Sequence, residues 1–351
     1  MSETAPARIG AFAGAVLIAA LTIFFLVEGR ELLIPIVVAI VIWYLLNALA
    51  NFFDRIPVVG EKIPHWITLI FAVIVVLIAL ALVAELISDN IAQVAAAAPI
   101  YQVNFERLVV SASQFAGFQE PPDITKVIDE INIRALIAGL ASTVAGFAGS
   151  LGIVLVYVLF LLIEQGSFEK KLNALFPNAE KRQDVRDLLH RMQVQIQSYV
   201  AIKTLASVAT GLISYGILLI VGVDFAAFWG FVIFLLNYIP TIGSLLGILL
   251  PTLLAVVQFA SAGPVLAVLI GGGLTQFVIG NIVEPRLMGT SLNISPLVVL
   301  ISLAVWGSIW GLAGMFLSVP LTMIAMIVFS YFQPTRPIAI MLSGDGEIDT
   351  R

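Results

Sequence analysis

Apolar stretches of about 18 residues or more recur from one end of this sequence to the other, at residues 9–27, 32–53, 66–87, 135–163, 201–221, 225–258, 264–282 and 296–332. Each is long enough to cross roughly 30 Å of hydrocarbon as an α-helix. A helix satisfies its own backbone hydrogen bonds in lipid, and no stretch shows the two-residue alternation of a membrane barrel. The sequence therefore predicts an all-α polytopic membrane protein with about eight hydrophobic segments. Composition agrees: 60% of residues are hydrophobic, 11% are charged, and mean hydropathy is +1.08. The first run is long for a signal peptide, and Val27-Glu28-Gly29 after it lacks a small-x-small cleavage site, so it is expected to be a retained helix.

Two stretches are too long to be simple spans. Residues 225–258 and 296–332 would each extend on the order of 50 Å as one helix. Each carries a breaker near its centre, Asn237-Tyr238-Ile239-Pro240-Thr241-Ile242-Gly243 in one and residues 306–314, WGSIWGLAG, in the other. Both are predicted to be broken helical hairpins, either re-entrant or made of two short spans. A proline removes a donor and disrupts the ladder above it, which is tolerated in lipid only where protein or water covers the break. Transporters place substrates and coupling ions at such interrupted segments.

Loop charges suggest an orientation. With a cytoplasmic N-terminus, Arg8, Arg55, Lys62, Lys170, Lys171, Lys181, Arg182, Arg186, Arg191, Lys203, Arg286, Arg336 and Arg351 fall inside, and only Arg30, Arg107, Lys126 and Arg134 outside. This requires both hairpins to return to the side they entered from, and it puts both termini in the cytoplasm. The expected organisation is three transmembrane helices in 1–89, an extracytoplasmic amphipathic segment in 90–134, two more spans in 135–222, a hairpin–helix–hairpin transport region in 223–333, and a polar tail in 334–351.

Residues 178–200 put Val185, Leu188, Leu189, Met192, Ile196, Tyr199 and Val200 on one helical face and basic residues elsewhere, the pattern of a helix lying in the inner interface. Pro121-Pro122-Asp123, followed by Ile124, Val127, Ile128 and Ile131, reads as a capped helix leading into the fourth span. Gly139, Gly146, Gly149 and Gly152, and Gly271-Gly272-Gly273, are expected to serve close helix packing. Asn47 and Asn51, at i and i+4, suit interhelical hydrogen bonding.

Few ionisable residues fall inside the spans. Glu284, beside Pro285 and Arg286, is a candidate proton or cation ligand or else half of an interfacial pair with Arg286; Glu85 and Asp224 are further ion-coupling candidates. Lys203 falls at a predicted span end, where it can reach water. With no cysteine, disulfides and thiolate chemistry are excluded, and no metal site or cofactor is expected. The net charge of -5 and pI near 5.1 argue against nucleic acid as a partner. No HExxH, GxSxG or P-loop pattern supports an enzyme, and any active transport must therefore draw on an ion gradient.

NYIPTIGSLLGILLP at 237–251 and GNIVEPRLMGTSLNISPLVVLISLAVWGSIWGLAGMFLSVPL at 280–321 resemble the signature regions of the autoinducer-2 exporter family of bacterial membrane proteins. Pro35 in the second span and Phe176-Pro177 before the basic helix add to the resemblance. By motif position Asn237, Pro240, Gly243, Pro251, Asn281, Glu284, Pro285, Asn293, Pro296, Gly311, Gly314 and Pro320 match the family. The resemblance implies an inner-membrane transporter and a homo-oligomer, with a pentamer among the candidate assemblies. It also implies export of the quorum-sensing signal autoinducer-2, or sodium or lithium efflux in exchange for protons, without choosing between them.

The leading expectation is a secondary exporter of a small polar solute by alternating access, with its site between the hairpin tips. Asn237, Thr241, Ser244, Gln276 and Asn281 would supply hydrogen bonds, Pro240 would break the helix, and Gly243, Gly311 and Gly314 would let the tips turn; Pro251, Pro285, Pro296 and Pro320 are candidate hinges. A sodium/proton antiporter carrying a monovalent cation is the second reading. A passive channel or membrane scaffold is the third.

Overall fold

The computed structural model describes residues 5–54, 64–115, 151–289 and 293–347. Every regular element among them is helical. The expected Pro121–Ile131 helix, the glycines Gly139, Gly146 and Gly149, and the basic residues Arg55, Lys62, Lys126, Arg134 and Arg351 lie outside the described residues. The helices are α1 Ala5–Glu28, α2 Arg30–Asp54, α3 His65–Phe115, α4 at 151–164, α5 Phe168–Leu175, α6 Ala179–Val221, α7 Ala226–Leu236, α8 Ile242–Phe259, α9 Ala262–Val278, α10 Glu284–Met288, α11 Pro296–Tyr331 and α12 Arg336–Leu342. Seven helical stretches among the described residues are long and apolar enough to cross a membrane. The chain is an all-α polytopic membrane protein.

Two helices run far past a bilayer. The third span and the segment after it form one helix, α3, of 51 residues, about 75 Å long. The expected interfacial helix at 178–200 is likewise no separate element: it continues into the fifth span as the 43-residue α6. The reason is local. Asn178 Oδ1 accepts from the amides of Glu180 and Lys181 and starts the helix, and from there to Gly211 the sequence has no proline or glycine to stop it. The polar tail is also partly structured, since Arg336–Leu342 forms α12 and the Leu342 carbonyl accepts from the Ser295 amide.

The described chain divides into two compact units. The first comprises Met1–Trp43, Ser150–Met192 and Ile294–Arg351. Within it, Arg186 of α6 binds Glu169 of α5 at 2.7 Å, and Trp310 donates to the Leu26 carbonyl at the end of α1 at 2.8 Å. Here α11 is a folded-back pair rather than a span. Gly311 (φ 61°, ψ −138°) breaks it, and Trp306 Nε1 donates to Thr322 Oγ1 at 3.3 Å. Sixteen residues of straight helix would hold those residues about 24 Å apart.

The second unit comprises Tyr44–Gly149 and Gln193–Asn293. In it α7 and α8 form the other hairpin, pinned at both ends. At its base, Gln258 Nε2 donates to the Gly222 carbonyl and Gln258 Oε1 accepts from the Asp224 amide, both at 2.8 Å. The hairpin therefore leaves and returns on one side. The far reach of α3 closes over this base: Tyr101 donates to Asp224 Oδ2 at 2.7 Å, and Asn104 Nδ2 donates to the Gln258 carbonyl at 3.2 Å. Residue spacing along α6 puts the tip, held at Ser207, about 21 Å along the helix from Val221. The small-residue expectation holds at Gly271, where an added Cβ would lie 3.0 Å from Ile217 Cγ2, whereas Gly273 and Gly152 face open space.

The tips make two predictions. A Cβ on Gly243 would lie 1.7 Å from the Leu236 carbonyl oxygen, and one on Gly314 1.9 Å from that of Trp306. Gly243→Ala and Gly314→Ala should each cost about 1–3 kcal/mol or more by thermal melting in detergent, whereas Gly272→Ala, with its nearest neighbour at 3.8 Å, should be near neutral. At the base, burial and the adjacent Asp224 carboxylate push the Tyr101 phenol above its ordinary range. A raised folded-state value means stability that is complete below the unfolded phenol's pKa, about 10, and is lost above it. Melting midpoints measured from pH 8 to 11 should thus fall more steeply in the wild type than in Tyr101→Phe; parallel curves would contradict the contact.

Candidate functional site

The site is built on one stripe of α6. Lys203, Ser207, Thr210 and Ser214 follow one another at i, i+4, i+7 and i+11, and all four are buried. A polar stripe in a membrane helix needs partners, because lipid supplies none. Ser207 finds one in the hairpin tip: Asn237 Nδ2 donates to Ser207 Oγ at 3.0 Å, and both side chains are buried. One residue along the tip, the Tyr238 hydroxyl lies 2.7 Å from Thr204 Oγ1. Thr210 bonds back to the Ala206 carbonyl. Ser214 lines a small crevice with Ile233, Gly247, Pro251, Val268 and Gly272.

The tip itself is a run of tight turns. The amides of Asn237, Tyr238 and Ile239 bond to Ile233, Leu235 and Leu236 carbonyls, and that of Gly243 bonds to Ile239. Thr241 (φ 61°, ψ −57°) sits at the centre of a strained γ-turn closed by the Ile242 amide on the Pro240 carbonyl at 2.6 Å. A β-branched residue held there stores about 1–3 kcal/mol. Backbone groups at the break are thus largely occupied, and the polarity the tip offers comes from side chains. Asn237 is buried and Thr241 exposed, with Ser244 between them in accessibility.

The first residue of α10, past the end of α9, makes the one buried ion pair found among the described residues. Glu284 Oε1 accepts from Lys203 Nζ at 2.6 Å, with the two side chains only 15% and 7% exposed. This corrects two expectations. Lys203 does not reach water at a span end, and the partner of Glu284 is not Arg286, whose side chain is exposed. The local cause is Pro285. Lacking an N–H, and with a ring that crowds the carbonyl four residues back, it shifts the ladder into a π-turn over Ile279–Val283, in which the Glu284 amide bonds to the Ile279 carbonyl. That bulge rotates Glu284 toward α6.

Other candidates separate from this cluster. Asn281 is exposed and bonds to the Phe277 carbonyl of its own helix. Glu85 is exposed on α3, and Asp224 is exposed at the hairpin base. Asn47 is buried but Asn51 is exposed, so the two do not share one use. Gln276 of α9 is buried, and a Cβ on Gly247 would lie 3.2 Å from its Nε2. Pro251 and Pro320 lie inside α8 and α11, while Pro285 and Pro296 open α10 and α11. In the first unit, Gly311 is exposed and Gly314 is buried against Trp306 and Trp310. Sequence reasoning missed the α6 stripe, although its i, i+4, i+7, i+11 spacing within an apolar run is legible. It also missed Gln258 and Tyr101, for which the sequence carries no comparable signal.

The chain is 29% identical over 319 residues to the AI-2 transport protein TqsA of Escherichia coli (strain K12), covering 90% of each protein. It is 29% identical over 329 residues to YhhT of the same strain, covering 92% of this chain and 91% of that one. The family model described as AI-2E family transporter matches residues 14–333, from within α1 to the end of the second hairpin, so the chain belongs to the AI-2E transporter family.

Proposed function

We propose that this chain is a secondary transporter that exports a small uncharged polar solute across the bacterial inner membrane, with autoinducer-2, the solute named for TqsA, as the first candidate. One observation carries the reading: a broken hairpin tip is held deep within the apolar part of the chain by a polar stripe, through the Asn237–Ser207 bond. A purely structural span has no need of buried Asn, Ser, Thr and Lys at consecutive turns, since leucine there would be cheaper in lipid. The polar groups at the tip are neutral, and among the described residues the charges nearest along α6 and α10, on Lys203 and Glu284, pair with each other. An uncharged solute suits that environment better than an ion.

In this reading Asn237 and Ser207 form and release their bond as the tip moves. Thr241 holds strain that the other position relieves, and Gly311 supplies the corresponding turn in the second hairpin. The chain carries no nucleotide-binding motif, so the driving force is an ion gradient.

The sodium/proton antiporter remains the second reading because of Glu284. It is the one candidate carboxylate held inside, and its salt bridge to Lys203 could be exchanged for a proton or cation.

Proteoliposomes containing the purified chain, loaded in parallel with autoinducer-2 or sodium, with and without a proton gradient, separate the two readings. Gradient-dependent autoinducer-2 efflux without sodium exchange supports the exporter, and sodium exchange alone supports the antiporter. Asn237→Ala should lower solute flux about tenfold, the worth of one well-placed hydrogen bond, in protein that inserts and melts normally; unchanged flux contradicts the assignment. Lys203→Met should cost about 3–5 kcal/mol by leaving Glu284 unpaired, and Lys203→Met/Glu284→Gln should recover most of it. Exchange retained in that double variant would leave the antiporter reading without its carboxylate.

A further inference from the structure

Among the described residues, every residue other than glycine with a positive φ lies on one hairpin, α7–α8. Phe225 (φ 58°, ψ 34°) is the corner before α7, Thr241 is the tip, and Ala260 (φ 48°, ψ 28°) is the corner after α8. A Cβ makes this backbone costly, which is why chains place glycine there. The end of α6 shows that ordinary solution: Gly222 (φ 80°) turns the chain, and the Val223 amide closes on the Leu218 carbonyl at 2.9 Å. Strained corners without glycine persist only where the surroundings over-determine them.

At the base of this hairpin the surroundings include α3. Tyr101 donates to the carboxylate of Asp224, the residue before Phe225, and Asn104 donates to the carbonyl of Gln258, two residues before Ala260. That carbonyl lies in the last turn of α8, where no amide of the same helix remains to serve it, so a different helix caps α8. Tyr101 and Asn104 stand three residues apart and share one face of α3. One helix thus holds the backbone beside both strained corners at once.

These two bonds differ in kind from the one at the tip. Tyr101 and Asn104 lie beyond Leu86, where the apolar span of α3 ends, and Asp224 is exposed. Bonds that water reaches exchange for bonds to water at small net cost, whereas the buried Asn237–Ser207 bond has no such substitute. Relief of strain at Phe225 and Ala260 offsets part of what is lost when α3 lets go, so the held and released forms lie close in free energy.

Resting on the moving hairpin of the exporter reading, we infer that residues 87–115 of α3 are a releasable strap over the base of α7–α8. Bound, the strap keeps Phe225 and Ala260 left-handed and holds the hairpin in one position. Released, it lets both corners relax and the hairpin pivot about its base.

The test uses purified full-length chain with no solute present. Thermal midpoints are compared for Ala260→Gly in the wild-type background and in Tyr101→Phe/Asn104→Ala, where the strap has lost its donors. Glycine at the corner should raise the midpoint by a few degrees with the strap bound, and by less than about half as much without it, because the corner has then already relaxed. Equal rises in both backgrounds overturn the inference, as does no rise in either. In parallel, spin labels on Ile220→Cys of α6 and Leu245→Cys of α8, both exposed positions in a chain with no native cysteine, report the hairpin's position by pulsed electron paramagnetic resonance. One dominant distance is expected with the strap intact and a second in Tyr101→Phe/Asn104→Ala. A single unchanged distance in that variant overturns the strap as a lock, whatever Ala260→Gly shows. Failure of the exporter reading appears elsewhere, as absent autoinducer-2 flux, and leaves both of these readouts standing.

Discussion

Everything in the second unit depends on one constraint: inside a membrane, a polar group must find its partner in the protein. Asn237 and Ser207 meet that requirement for each other, and in doing so they pin the tip of the hairpin whose first limb, α7, is short. The 11 residues of α7 span only about 16 Å. The polar anchor partway along α6 holds the tip in place. Close packing supports the anchor, for a Cβ on Gly211 of α6 would lie 2.8 Å from the Gly230 carbonyl of α7.

The same helix organises both ends of the unit. Near its lower turns Lys203 binds Glu284, and just past its C-terminus Gly222 and Asp224 bind Gln258. Base and ion pair are fixed points between which the tip carries a strained γ-turn at Thr241.

Much of this was legible in the sequence. Apolar length gave the helical membrane class, and Pro240 and Gly311 located both breaks, because breakers act locally. What failed was long-range or geometric. The helix boundary expected near Val200 does not exist, since a change from amphipathic to apolar pattern marks where water ends and not where a helix does. Glu284 was found, but its partner lies 81 residues away, brought round by a π-turn whose cause, Pro285, is local and whose consequence is not. Asn281 shares the motif of Glu284 yet points away from the site, which spacing alone does not reveal.

The central claim is that the broken tip faces a water-accessible path and not lipid. The chain has no native cysteine, so a single Thr241→Cys can be probed in membranes with a charged thiol reagent that does not cross the bilayer, against Leu253→Cys on the exposed apolar face of α8 as the lipid control. The account expects Thr241→Cys to react and Leu253→Cys to stay silent. If both stay silent, the tip is sealed in the apolar phase and the hairpin is a structural kink rather than a transport site.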